Sequence, residues 1–347
     1  MIIRIILFSI AMAAISSSTL ASTLSDIELF DSAASHYKNK NYSVALKLYK
    51  EAAGKGIAEA QLNLGIMYDL GQGVPQDYAE AVKWYRLAAE QGLDLAQFNL
   101  GKMYDLGQGV PQDYAQAVKW FRLAAQQGFA DAQDSLGVMH VKGQGVVQDY
   151  TEAAKWFRLA AEQGSAYAQE HLGKLYYDGL GVPQDYAESI KWFRLAAKKE
   201  LSQSQFSLGS MYNNGEGVPQ DYAEAVEWFR LAAQQGLAKA QFNLGMMFRL
   251  GKGVPQDYVE AVKWFRLAAQ QGLAQAQFGL SLMYASGQGV LQDGAKAYQW
   301  AIFAAVSGDA GYIKSRDSLA EILSPEKIAR AQKMARDCLA NNMNGCD

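Results

Sequence analysis

Two cysteines, Cys338 and Cys346, are the residues whose type and spacing point most directly to a covalent chemistry. They are all the cysteine in the chain, and they enclose a short loop near its C-terminal end. In an oxidising compartment a disulfide across that loop is expected, and it would hold the tail against the preceding helix. The alternative is two free thiols, whereas a redox-active pair is not indicated because the spacing is not C-x-x-C.

The three histidines, His36, His140 and His171, form no recognisable metal or catalytic motif. The chain contains no H-E-x-x-H, C-x-x-C or G-x-S-x-G pattern. His140 stands where corresponding segments of the chain mostly carry an aromatic residue, which indicates a buried structural histidine, and His171 lies on the polar side of its helix. The sequence therefore predicts no catalytic residue, no cofactor and no metal site, and it favours a protein that is not an enzyme.

The elements that position these residues follow from an internal repeat of 36 residues. A fixed period of this length predicts an array of stacked units and not one closed core. Tryptophan recurs at this interval, and these positions account for all seven tryptophans of the chain: Trp84, Trp120, Trp156, Trp192, Trp228, Trp264 and Trp300.

Each unit reads as two helices. In the first unit, apolar residues at helical spacing predict a helix over 58–70, which Gly71 ends. Asp77 is predicted to cap the second helix, with Glu80 completing a reciprocal capping box, and Gly92 should be the left-handed residue after its end. The recurring G-x-G loops are therefore helix stops and not phosphate-binding loops. The tryptophan is expected to fill the space between the two helices.

These positions resemble the Sel1-like repeat, a helical-pair relative of the tetratricopeptide repeat. The resemblance covers residues 58–309 as seven units. It implies an all-α fold, a right-handed α-solenoid of antiparallel helix pairs, whose usual work is binding other proteins. The residues of the first unit that carry it are Ala60, Leu64, Gly65, Tyr68, Gly71, Gly73, Val74, Asp77, Ala81, Trp84, Tyr85, Ala88, Ala89 and Gly92.

Residues 1–21 are predicted to be a cleaved signal peptide. Arg4 is followed by an apolar run over 5–15 and by a small-residue cleavage site over 19–21. The alternative is an uncleaved anchor, although the run is short for a bilayer and no second one follows. Together with the repeat resemblance, this predicts export to the periplasm of a Gram-negative bacterium, or secretion beyond it.

The segments on either side of the repeats are predicted to cap the array. Residues 22–57 carry the second-helix pattern one period early, with Leu48 in place of tryptophan. Residues 310–347 continue with two helices, the second of which starts at Ser324 as N-cap, followed by Pro325. Terminal units are expected to depart from the pattern because their outer face meets water.

Several units inside the array depart from the pattern, including the seventh, which has Leu291 for the loop proline and Gly294 for the tyrosine at the start of the second helix. Glu200 replaces the glycine that follows the second helix of the fourth unit, at a left-handed position that costs a non-glycine residue about 1 kcal/mol. That junction is therefore expected to be slightly rearranged. In the third unit, Val147 replaces the loop proline and His140 replaces the helix tyrosine.

The charge of the chain argues against two classes of partner. The formal net charge is −3 at pH 7, and the basic residues form no stripe or cluster. Neither nucleic acid nor an anionic membrane surface is therefore an expected partner. No transmembrane segment is expected after signal cleavage.

A comparison of the units separates fixed positions, which hold the stack, from variable ones on a single stripe of the first helices. The resemblance to tetratricopeptide repeats implies that this stripe lines a concave groove. Aromatic and aliphatic residues at both ends with charges between them suit an extended or helical polypeptide. The alternative is that the phenylalanines simply pack between adjacent first helices. The predicted groove residues are Leu62, Phe98, Lys102, Glu170, Lys174, Tyr177, Phe206, Phe242, Met246, Arg249 and Phe278.

The function that the sequence favours is a non-catalytic scaffold or adaptor of the cell envelope that holds a protein or peptide partner in this groove. One alternative is an envelope hydrolase, since a cysteine-rich branch of the family is linked to β-lactam binding and hydrolysis. That branch carries a cysteine pair in each repeat, whereas this chain has none within its repeats. A secreted host-interaction factor and a cell-wall glycan binder are further alternatives.

Overall fold

The computed structural model describes residues 17–341, 343 and 346, and all regular secondary structure in that part of the chain is helical. The chain divides into two compact units, one that ends at Gln163 and one that begins at Gly164. Each unit is a stack of helix pairs that repeat about every 36 residues, which confirms the predicted all-α solenoid class. The predicted signal peptide, residues 1–21, lies mostly outside the described residues.

The odd-numbered helix is the first and the even-numbered helix the second of each pair. The helices of the unit that ends at Gln163 are α1 (Ser17–Lys38), α2 (Tyr42–Gly54), α3 (Ala58–Leu70), α4 (Tyr78–Glu90), α5 (Asp94–Leu106), α6 (Tyr114–Gln126), α7 (Ala130–Lys142) and α8 (Tyr150–Glu162). Those of the unit that begins at Gly164 are α9 (Ala166–Asp178), α10 (Tyr186–Ala197), α11 (Ser202–Asn214), α12 (Tyr222–Gln234), α13 (Ala238–Leu250), α14 (Tyr258–Gln270), α15 (Ala274–Ser286), α16 (Gly294–Ala305), α17 (Ala310–Ile322) and α18 (Pro325–Ala340).

The start of each second helix from α4 onward is capped by a side chain, although Asp77 of α4 does not form the full reciprocal box that the sequence predicts. The Asp77 carboxylate accepts hydrogen bonds from the backbone N–H groups of Ala79 and Glu80, each at 3.0 Å. The Glu80 carboxylate pairs with Lys83 instead of reaching back. The N–H of Asp77 donates to the carbonyl of Tyr68 at 2.9 Å. The reciprocal half of the prediction is wrong because the folded-back loop already gives that N–H an acceptor.

The two helices of a pair approach each other at a glycine. A Cβ added to Gly65 would lie 2.6 Å from Cδ1 of Tyr85, and one added to Gly101 would lie 2.7 Å from Cδ1 of Phe121, so a ring occupies the space that the glycine leaves. Tyr85 and Phe121 are each 1% exposed. Trp84 is only half-buried and packs against a cluster of residues from α1, α2 and α3. The space at the glycine between the two helices is therefore filled by Tyr85, and not by Trp84 as the sequence predicts.

Consecutive pairs are joined by a buried glutamine. The Gln61 side-chain N–H₂ donates to the Ala53 carbonyl at 3.3 Å, and its oxygen accepts a hydrogen bond of 2.8 Å from Gln91. Gln91 also donates to the Gly56 carbonyl at 3.0 Å. The same glutamine pair recurs at 2.8 Å elsewhere in the array, as Gln97–Gln127, Gln133–Gln163, Gln205–Gln235 and Gln241–Gln271.

The C-terminal end is closed by α18 and by a disulfide. Ser324 caps α18 and Pro325 occupies the first helical turn, as the sequence predicts. Cys338 and Cys346 are joined, with their Cα atoms 5.0 Å apart, and both are buried. Gln299 of α16 donates to the carbonyl of Cys346 at 3.2 Å, so the tail is held against the last repeat as well as against α18.

Glu200 adopts the left-handed conformation that its position demands, with φ 63°. The helix before it, α10, has 12 residues and ends at Ala197, whereas α12 has 13 residues. Because α16 is equally short although Gly308 stands at the corresponding position, the length does not distinguish this junction. The glycines at this position in other units have φ between 79° and 92°, so the local rearrangement is a smaller φ at Glu200. Glu200 therefore retains the backbone strain of a non-glycine residue in the left-handed region.

We expect Glu200→Gly to raise the free energy of unfolding by about 1 kcal/mol, because glycine adopts left-handed backbone without a Cβ penalty. Urea unfolding followed by circular dichroism measures the change. The matched control is Glu90→Gly at the end of α4, where the backbone is helical and glycine should cost about 0.5–1 kcal/mol. A loss of stability in the Glu200→Gly variant would contradict the assignment of strain.

Candidate binding surface

Predicted groove residues of the unit that begins at Gly164 meet in a cleft between the first helices α9 and α11. The cleft has a volume of about 530 Å³. Glu170, Lys174 and Tyr177 line it from α9, because spacings of three and four residues place them on one face. Phe206 lines it from α11, and Phe193 lines it from the second helix α10. The structure therefore brings four of the predicted residues together.

A second cleft follows one repeat further on, with a volume of about 240 Å³. Phe242 and Met246 of α13 line it, and both belong to the predicted groove. Asn213 of α11 lies opposite them, and Phe229 of α12 stands one period after the corresponding aromatic residue of the first cleft. The two clefts are thus built from the same repeat positions with different side chains.

Two of the predicted groove phenylalanines, Phe206 and Phe242, line the clefts and also pack on aromatic rings of the fold. Phe206 and Phe242 are half-buried, and each packs on an aromatic ring of the second helix in its own pair. The sequence left open whether the groove phenylalanines pack between adjacent first helices. The rings of Phe206 and Phe242 contact aromatic rings within their own pair and also line a cleft, whereas Phe278 packs on Tyr312 of the next first helix, α17. The ring pairs, with centroid distances, are Phe98–Phe121 at 5.7 Å, Phe206–Phe229 at 5.8 Å and Phe242–Phe265 at 5.7 Å.

The other predicted positions do not join these two clefts. Leu62 is only 7% exposed and belongs to the core, so it is withdrawn from the binding surface. Lys102 lies over the ring of Phe98, with 5.7 Å between Nζ and the centroid. Phe278 stacks on Tyr312 of α17 at 4.9 Å. Arg249 is half-buried, and its Nε is shielded from solvent without a hydrogen-bond partner among the described residues.

Tyr177 is the residue of the first cleft whose electrostatics are most perturbed. Its hydroxyl donates to the Glu216 carboxylate at 2.9 Å. Burial, followed by the hydrogen bond to Glu216 and the charge of that carboxylate, raises the pKa of Tyr177 to about 12. The hydroxyl is therefore protonated at neutral pH and already engaged as a donor. On the same helix, Glu170 Oε2 lies 3.9 Å from Nε2 of His171.

The histidines are placed as structural residues. His140 is 8% exposed, and burial lowers its pKa below the ordinary value. His171 is half-buried on α9. No three His, Cys, Asp or Glu side chains come together as potential metal ligands within the described residues. In the part of the chain that the structure describes, no helix is long and apolar enough to cross a membrane.

Some cleft residues were not singled out by the sequence pattern. Phe193 belongs to this group because the prediction considered only the first helices. Asn213 lies on the predicted stripe, one period after Tyr177, but was not among the groove residues selected from it. Lys239 of α13 also lines the first cleft. A signal for it exists in the sequence, since a lysine in the first turn of a helix opposes the helix dipole, and the corresponding residues in other units include Glu59 and Asp131.

Comparison with protein families extends the predicted array by one unit. The family model described as Sel1 repeat matches residues 30–57, 58–93, 94–129, 130–165, 166–201, 202–237, 238–273 and 274–309. Seven of these segments coincide with the units that the 36-residue period predicts. The additional match, a shortened one over 30–57, falls in the segment that the sequence assigns to the N-terminal cap.

Two solved structures are similar to this chain over most of its length. The Sel1 repeat protein from Oxalobacter formigenes is 33% identical, the match covers 86% of this chain and 90% of that one, and the TM-score is 0.68. The protein c5321, a protective antigen of uropathogenic Escherichia coli with an SLR fold, is 31% identical, with 95% and 87% coverage and a TM-score of 0.49. No match is found among curated proteins.

We expect an NMR titration of the Tyr177 ring to give a pKa of about 12. Glu216→Gln should lower this pKa but leave it above the ordinary value of about 10, because burial is the larger cause. Since the folded-state pKa is raised, the stabilisation is complete below pH ~10 and is lost as the pH rises from ~10 to ~12. Tyr177→Phe identifies the resonance, and an unchanged pKa in Glu216→Gln would contradict the hydrogen bond.

Proposed function

This chain belongs to the Sel1 repeat family, whose helix-pair arrays are generally non-catalytic interaction scaffolds, and from that premise we propose that it binds a polypeptide partner along its first helices. The observation that carries the proposal is the pair of successive clefts, one between α9 and α11 and one between α11 and α13. A partner that fills both must reach from one repeat to the next.

The composition of the clefts favours a polypeptide over a small metabolite. Each cleft has an aromatic residue of a second helix beneath it and polar or charged side chains beside it, such as Lys174 in the first and Asn213 in the second. An extended or helical polypeptide presents apolar and polar side chains at regular intervals and can place them in consecutive clefts. A small ligand is usually enclosed by one deep pocket, whereas here the two sites are shallow and serial.

The hydroxyl groups of the first cleft support a role in binding and not in catalysis. Ser207 donates to the Gln203 carbonyl and Ser210 to the Phe206 carbonyl, each at 3.0 Å, so both hydroxyls are engaged by the backbone of their own helix. The Tyr177 hydroxyl is held protonated by burial and by Glu216. A nucleophile needs a base within hydrogen-bond reach, and the hydrogen bonds of these groups serve the fold instead.

We further propose that the protein works in the periplasm of a Gram-negative bacterium or is secreted beyond it. The basic and apolar pattern of residues 1–21 supports export. The Cys338–Cys346 disulfide also supports it, because such bonds persist in oxidising compartments.

Filling the first cleft tests the polypeptide site. Ser210 occupies the repeat position at which the next unit carries Met246, so the helix tolerates a long apolar side chain there. We expect Ser210→Met to weaken capture of the partner from a native periplasmic extract by about tenfold, because the side chain takes up the space into which the partner inserts.

The readout is affinity purification followed by mass spectrometry, with circular dichroism as a check on folding. Gln234→Met, at the exposed end of the second helix α12, is the matched control and should capture the partner as well as the natural chain does. Equal recovery of the same partner by Ser210→Met would reject the cleft as the binding site.

Processing of the leader tests the proposed location. When the full chain is expressed in a Gram-negative host, we expect the periplasmic fraction to contain a protein whose intact mass corresponds to a start at Ser22. Recovery of the chain in the cytoplasm with residues 1–21 attached would contradict export.

A further inference from the structure

A recurring contact ties the second helix of one pair to the first helix of the next. Arg86 Nη2 donates to the hydroxyl of Tyr104 at 2.7 Å, and Arg266 Nη2 donates to that of Tyr284 at 3.4 Å. Arg194 makes the same contact with Tyr212. This arginine–tyrosine contact is therefore a standard part of the array.

Arg122 has lost this partner. The residue at the tyrosine position is His140, whose Nδ1 is buried and makes no hydrogen bond among the described residues. Arg122 itself has no hydrogen bond or ion pair to any described residue, although it is close enough for its charge to lower the pKa of His140 in addition to the effect of burial.

Arg122 differs from another arginine of the array that also lacks the tyrosine hydroxyl, because that arginine has a different partner. Phe248 also replaces the tyrosine, and there the arginine of the preceding pair, Arg230, bonds to Glu227 at 2.9 Å. Glu227 stands at the position that is Lys119 in the pair of Arg122. Arg122 thus has a second cation nearby where Arg230 has an anion.

Lys119 has lost its partner as well. In other second helices the lysine at this position pairs with a glutamate three residues before it, as in Lys191–Glu188 at 3.1 Å. The same pairing holds for Lys83–Glu80, Lys155–Glu152 and Lys263–Glu260. At the corresponding place before Lys119 the chain has Gln116, which carries no charge. Lys119 retains only its position over the ring of Trp120, 5.2 Å from the centroid.

The two unpaired cations line the same cleft. This cleft has a volume of about 350 Å³ and lies between α6 and the loop from α7 to α8. Its apolar wall includes Val118, Leu123 and Val146. The next loop residue, Val147, is 87% exposed at the position where the loop before it has a proline.

The two carboxylates whose charges act on His140, those of Asp149 and Glu152, are already engaged. Asp149 caps α8 by accepting hydrogen bonds from the N–H groups of Thr151 and Glu152. The Glu152 carboxylate pairs with Lys155. Arg122 and Lys119 are both exposed, so their charges are accessible to a carboxylate of a ligand.

We propose that the cleft between α6 and the α7–α8 loop binds an acidic polypeptide segment, with a side-chain carboxylate on Arg122 and Lys119 and an adjacent apolar side chain against Val118, Leu123 and Val146. A guanidinium binds a carboxylate through two parallel hydrogen bonds, and a charge-assisted bond of this kind is stronger than a neutral one. The site is separate from the first-helix clefts and does not depend on the function proposed for them.

The experiment uses the full mature chain and the blocked peptide Glu-Leu-Glu-Leu-Glu, labelled with rhodamine. Binding is measured by fluorescence anisotropy and is located by the NMR shift of the Arg122 Nε–H group. The peptide Gln-Leu-Gln-Leu-Gln and inorganic phosphate are the comparison ligands. We expect the acidic peptide to bind more tightly than both and to lose affinity as salt is added.

The decisive variant gives both cations the partners that other repeats provide. Gln116→Glu together with His140→Tyr introduces residues that the fold already accepts at these positions, and it should weaken peptide binding about tenfold, as should Arg122→Ala. Gln116→Glu alone, which adds a favourable charge to the first turn of α6, should have an effect in the same direction. Lys83→Ala removes a paired lysine from the second helix α4, away from this cleft, and should leave the affinity unchanged.

Two results would overturn the proposal. One is equal affinity of the natural chain and of all the Gln116, His140 and Arg122 variants for the acidic peptide. The other is equal or tighter binding of the glutamine peptide or of phosphate, which would remove the carboxylate-bearing segment as the ligand.

Discussion

Within each compact unit, buried glutamines join consecutive helix pairs, and the stacking depends on them. A buried amide costs free energy unless its donors and acceptor are satisfied, and the amide of Gln61 is satisfied by the Ala53 carbonyl before it and by Gln91 after it. Hydrophobic contact between the pairs is non-directional and would tolerate sliding. The glutamine bonds therefore fix the register of one pair on the next, and the spacing of the clefts follows from that register.

A fixed register confines variation to positions that the stack does not use. Lys174, Ser210 and Met246 occupy one such position in three consecutive first helices. Because the backbone beneath them is the same, a ligand that runs along these helices meets a lysine, a serine and a methionine at regular intervals. Repeat arrays recognise extended partners in this way, by changing side chains on a constant frame.

The limits of the helices could be predicted because they are set locally, by periodicity over 58–70 and by capping residues such as Asp77. The aromatic ring between the two helices could not, since Trp84 and Tyr85 are adjacent and the choice depends on which ring meets the missing Cβ of Gly65. Which residues of the stripe line a cleft was also only partly predictable, because it depends on the packing of neighbouring helices. Leu62 shares a repeat position with Phe206 but is buried by its neighbours, and burial is a property of the assembled stack.

Comparison of the repeats within this chain distinguishes a missing arginine–tyrosine contact that another residue replaces from one that no described residue replaces. Phe248 removes the tyrosine that would receive Arg230, yet Glu227 restores a partner, so that site remains self-sufficient. His140 removes the tyrosine that would receive Arg122 and nothing replaces it within the described structure. The buried Nδ1 of His140 is left without a hydrogen bond among the described residues. Local rules of this kind are broken at functional sites more than elsewhere, so the uncompensated position is where a ligand is to be sought.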